Sequence, residues 1–176
     1  MRNFILTITL FFCCCFSLKA NMASSREIAE IKKALIKAVE SSAITDSLYS
    51  KYQAKKGDNP MITACIGTIE ALKAKHAWNP YNKMKYVAMA NSTMKKAVEA
   101  SSQNMEIRFM RFSIQHYTPA FLGYSKNLEE DRKALLSHYR NKTLGNDPVL
   151  IRSIAQFIID SKRCTPAEES LLKKFV

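Results

Sequence analysis

Glycine is scarce, four residues in 176, and none belongs to a phosphate-cradling loop or a serine-nucleophile elbow. Histidine is scarcer: no two of His76, His116 and His138 stand four residues apart, and no cysteine pair has zinc spacing. A metal site would have to be assembled from distant positions. No glutamate–histidine pair marks a hydrolase, and no segment alternates apolar and polar residues between hairpin turns, so strands are not expected. After Leu18 no uncharged apolar run reaches the roughly 18 to 20 residues that cross a bilayer. The mature chain is therefore expected to have no transmembrane span.

The opening segment is what remains apolar. Arg2 is followed by an uncharged run from Phe4 to Leu18 and then by Lys19 and Ala20, the layout of a secretory signal peptide. The expected division is a signal peptide over 1–20 and one domain over 21–176, periplasmic or secreted. Cys13, Cys14 and Cys15 raise lipoprotein anchoring, but Phe12 stands where a small residue is normally needed. Cleavage near Ala20 would leave Cys65 and Cys164. Export to an oxidising compartment makes a bridge between them one option, a buried free thiol at Cys65 the other.

Charge is one-sided. Losing Arg2 and Lys19 takes the 27 basic residues to 25 against 15 acidic ones, a net charge of +10. Such a surface favours anionic partners, among them nucleic acid, acidic polysaccharide and lipid headgroups, of which export makes nucleic acid the least expected.

All five prolines follow a residue that caps helices: Asn59, Asn79, Thr118, Asp147 and Thr165. The side-chain oxygen accepts a free N–H of the first turn, and proline occupies a position where no N–H is needed. Ser24 with Glu27, Asn127 with Glu130 and Thr165 with Glu168 read as capping boxes. Gly57 and Gly145 fall where left-handed helix ends are expected.

These marks predict helices at 25–41, 45–55, 60–77, 80–101, 104–117, 128–141, 148–161 and 166–175, with a short turn at 119–123. Ile28, Ile31, Leu35 and Val39 share a face of the first, and Leu150, Ile151, Ile154, Phe157 and Ile158 one of the penultimate. The fold expected is all-α, a single domain of seven to nine helices packed as antiparallel hairpins, helical-repeat-like in curvature.

Two resemblances add to this reading. Tyr81, Ala90, Met94 and Ala97, closed by Ser102 in place of proline, resemble a tetratricopeptide-repeat hairpin, though nothing similar recurs about 34 residues away. The stretches "ALKAKHAWNPYNKMKYV" and "NMEIRFMRFSIQHYTPAFLGYSKNLEEDRKAL", about residues 68–136, resemble a family of exported helical proteins of the Bacteroidota. That resemblance implies an exported helical protein and brings no catalytic residue with it.

Two stretches carry candidate sites. Wound as a helix, 104–117 has Met105, Phe109 and Phe112 on one flank and Ile107, Met110, Ile114 and Tyr117 on the other, as expected of a helix between neighbours. Asn104, Arg108, Arg111 and Gln115 form the stripe between. Either the arginines pair with the acidic cluster Glu129, Glu130 and Asp131, or Arg108, Arg111 and Gln115 line a groove for a small anionic ligand. The second stretch holds Lys73, Lys75, His76, Trp78, Tyr81, Lys83 and Tyr86 around a helix–helix turn. Trp78 and Tyr81 either stack on a ligand or, for Trp78, staple the Asn79 cap.

The function expected is an exported noncatalytic binding or scaffolding protein, its basic helical surface meeting another envelope protein or an anionic envelope component, with no cofactor. A small anionic-ligand binder and an enzyme without a recognisable motif are the second and third readings.

Overall fold

The structure, a computed structural model, describes residues 25–57 and 59–176. The expected signal segment, the cysteine triplet and the cap at Ser24 lie outside the described residues. Eight α-helices follow one another: α1 over 25–38, α2 Ser42–Tyr52, α3 Pro60–His76, α4 Pro80–Ala100, α5 Met105–Tyr117, α6 Leu128–Asn141, α7 Pro148–Asp160 and α8 Pro166–Leu172. Short 3₁₀ turns sit at Gln53–Lys55, Ala120–Leu122 and Lys173–Phe175. No strand occurs among the described residues, and the fold is all-α.

Local chemistry sets most boundaries. Asn59 accepts from the N–H groups of Met61 and Ile62, Asn79 from Asn82, Asn104 from Ile107, and Asp147 from Val149 and Leu150. Thr165 and Glu168 form the reciprocal capping box.

Elsewhere the structure departs from the local signals. Thr118 ends α5 instead of starting a helix, its hydroxyl donating to the Ile114 carbonyl at 2.8 Å. Asn127 makes no side-chain cap; its amide donates to Glu130 Oε2 at 2.9 Å, because that carboxylate is drawn toward the arginines of α5. Gly57 is left-handed, but Lys142, not Gly145, takes that conformation after α6. The first helix stops at 38, so Ala38 points inward and Val39 outward. Ser41 starts α2 by accepting from Ile44.

Three apolar clusters hold the helices. Ile31, Leu35, Leu48, Tyr52, Ile66 and Ile69 build an N-terminal core from α1, α2 and α3. Met94, Ala97, Val98 and Ile107 join Ala64 in a middle cluster where α3, α4 and α5 meet. Phe112, Leu135, Leu136, Tyr139, Ile154, Ile158 and Leu172 form a C-terminal core from α5 to α8. Helix α5 thus serves two sides, Phe112 on one and Ile107 on the other, as the flank pattern predicted; Tyr117 is the exception, three-quarters exposed. Tyr81 to Ala97 runs as one uninterrupted helix.

Candidate functional site

Arg108 and Arg111 lie inside the α5–α6 interface, 9% and 4% exposed, and both meet carboxylates. Arg111 grips Asp131 with two prongs, Nε to Oδ2 at 2.6 Å and Nη2 to Oδ1 at 2.7 Å. Arg108 donates from Nη1 to Asp131 Oδ1 at 2.8 Å and to Glu130, and from Nε to the Ser102 carbonyl at 2.9 Å. Two cations thus face two anions in a nearly neutral cluster, buried at Asp131 and open to solvent at Glu130. Arginine hydrogen bonds, those of Arg108 foremost, and then the Asn127 amide hold the Glu130 carboxyl down at about 2.

Gln115 does not join the arginines in a ligand groove. Its Oε1 accepts the Asn127 N–H at 3.2 Å, and its Nε2 donates to Asn91 Oδ1 at 3.3 Å, so the side chain ties α5 to α4 and to the start of α6. Arg132, pointing the other way from α6, binds Glu129 through Nε and Nη2, at 2.9 and 2.6 Å, and reaches Glu168 on α8. Helix α6 is therefore fastened electrostatically to both neighbours.

The α3–α4 turn divides its residues differently. Lys75 donates to the Val39 carbonyl at 2.6 Å, and His76 Nε2 to the Ala38 carbonyl at 3.0 Å, satisfying orphan carbonyls at the end of α1. Lys73 pairs with Asp46 at 2.6 Å and lies over the Tyr86 and Tyr49 rings. Those four candidates hold the fold. Trp78 is fully exposed, so it staples nothing; Tyr81 is 77% exposed and Met84 41%. Lys83 and Lys85 stand exposed among them without a carboxylate partner among the described residues.

No protein-family model, curated protein or solved structure matches the chain.

From Ala71 to Val98 the sequence holds six lysines and no acidic residue. Residues 78–85 are all exposed, so the first turns of α4 stand clear of the bundle. Met84 and Lys85 were not singled out from sequence; their signal was spacing, three and four residues past Tyr81 on one helix face. Such an exposed apolar turn flanked by Lys83 and Lys85 suits a broad anionic surface, whereas a small ligand needs concavity.

Cys65 and Cys164 are free thiols in different cores, so the bridge held open from the sequence is not formed. A disulfide needs Cα atoms within about 7 Å. Among the described residues no group of three or more His, Cys, Asp or Glu is placed to hold a metal ion, and no helix is long and apolar enough to cross a membrane.

Proposed function

We propose that this chain is an exported noncatalytic protein that docks on anionic phospholipid surfaces through the α3–α4 corner. The observation that carries it is the complete exposure of Trp78 at a turn flanked by exposed Tyr81, Lys83, Met84 and Lys85. An indole with an apolar body and one N–H donor prefers the boundary between water and lipid, and tyrosine behaves alike. Lysines near an anionic membrane contribute about 1 kcal/mol each. Two lysines and one indole make a reversible attachment rather than a permanent one.

Trp78 is the single tryptophan of the chain, so its emission reads the corner alone. Phosphatidylglycerol vesicles should shift the emission to the blue and carry the protein down on sedimentation, while phosphatidylcholine vesicles should do neither. Trp78→Ala and the pair Lys83→Ala with Lys85→Ala should remain in the supernatant with unaltered melting. A blue shift with dextran sulfate but none with vesicles would replace the lipid with an acidic polysaccharide. Equal sedimentation of wild type and Trp78→Ala would remove the corner from the account.

A further inference from the structure

We infer that a second site, the cleft between the end of α5, the start of α6 and the α7–α8 loop, binds a phosphate-bearing small molecule. The cleft measures about 750 Å³ and brings together Tyr117, Ser125, Lys126, Glu129, Lys162 and Arg163. That volume lies within the roughly 300 to 1,000 Å³ of small-molecule sites.

Its charge is unbalanced. Lys126, Lys162 and Arg163 have no carboxylate partner among the described residues, and the acid on the wall, Glu129, is already gripped by Arg132. Arg163 is seated by a neutral imidazole: its Nε donates to His116 Nδ1 at 3.3 Å. His116 is itself fixed among rings, 5.6 Å from Phe157 and 5.0 Å from Tyr117, centre to centre. Burial, and secondarily the charge of Arg163, lower the His116 pKa and keep it an acceptor. The two Nη groups of Arg163 are left for a ligand, and a planar fork of this kind matches phosphate oxygens.

Lys162 supplies a second cation from a left-handed backbone, φ +55°. Lys142 ends α6 in the same conformation, so this geometry marks helix termination and not function by itself. What distinguishes Lys162 is its place on the cleft wall beside Arg163. Tyr117, three-quarters exposed, and the Pro119–Ala120 wall offer apolar contact for the ring or chain carrying the phosphate. Lys162 and Arg163 stand at least 162 − 129 = 33 residues beyond the other wall residues, which is why the sequence did not reveal the site.

The test is calorimetric titration at constant ionic strength with glucose 6-phosphate, glycerol 3-phosphate, inorganic phosphate and glucose. Binding of one or both phosphate esters, with glucose silent, supports the site, and the two esters separate a sugar-borne phosphate from a lipid-type one. Lys162→Gly and Arg163→Ala should each weaken that binding at least tenfold. Glycine keeps the left-handed conformation, so Lys162→Gly should melt no lower than wild type, and lost affinity then reports lost charge. Trp78→Ala should bind the esters normally, which separates this site from membrane docking. Silence of every phosphate probe, or unchanged affinity in both cleft variants, would overturn the inference.

Discussion

Arg111 and Asp131 form a two-pronged pair wholly within the α5–α6 interface, Asp131 being 0% exposed. Removing Arg111 leaves the buried Asp131 carboxylate with a single bond, from Arg108 Nη1 at 2.8 Å, in place of three. Arg111→Ala should therefore cost about 3–5 kcal/mol and lower Tm by roughly 10 °C in thermal denaturation. Arg111→Leu combined with Asp131→Leu should recover much of that loss, because no orphaned charge remains. A single variant that melts like wild type would show the pair to be dispensable.

Acid should loosen the same interface. The Glu130 carboxyl is lowered from 4.5 to about 2, chiefly by Arg108. A depressed folded-state pKa gives stabilisation that is complete above about pH 4.5 and lost as the pH falls toward 2. The Glu130 side chain is half exposed, so screening reduces the effect to on the order of 1 kcal/mol. Urea denaturation at pH 6 and at pH 3 should show a smaller drop for Glu130→Gln than for wild type.

Glu70 is the buried charge with the least support. It is 0% exposed, one carboxylate oxygen meets Lys56, and Oε2 has no hydrogen-bond partner. Lys56→Ala should cost about 2–3 kcal/mol, less than for a fully buried pair because Lys56 is itself partly exposed. Adding Glu70→Gln to Lys56→Ala should restore stability in part. Denaturant midpoints of the four chains of this cycle decide the matter.

Gly67 lets α3 and α4 touch. A Cβ there would lie 2.6 Å from Met94 Sδ and 2.9 Å from its Cγ, and Met94 is fully buried. Overpacking of about 1–3 kcal/mol should exceed the gain of about 1 kcal/mol in helix propensity, so Gly67→Ala should destabilise. With Met94→Ala present, the same change should cost nothing or stabilise. Additive losses in the double variant would contradict the contact.

What the sequence disclosed follows the range of the interactions. Asn59, Asn79, Asp147 and Thr165 act within three residues, so four helix starts could be read directly from a capping residue and its proline. Partners of the α5 arginines could be narrowed to residues 129–131, but choosing Asp131 over Glu129 depends on how α6 is rotated against α5. The staple expected as one option for Trp78 fails for a similar reason. A staple needs a neighbour on the first turns of α4, and those turns stand out from the bundle. The division of the lysines and aromatics into fold-holding and outward groups depends on the end of α1, which receives Lys75 and His76, and on Asp46 of α2, which receives Lys73.

The two flanks of α5 have a consequence for how the molecule comes apart. Cys65 belongs to the N-terminal core, and burial pushes its thiol up to about 12; Cys164 packs on the C-terminal core, its thiol raised first by burial and then by Glu168. Each core thus carries its own chemical clock. A thiol reagent reaches Cys65 only through opening of the first, and Cys164 by a smaller motion of the second. Peptide-resolved alkylation would date the two openings separately, and unequal rates would mark α5 as the seam between independently breathing halves.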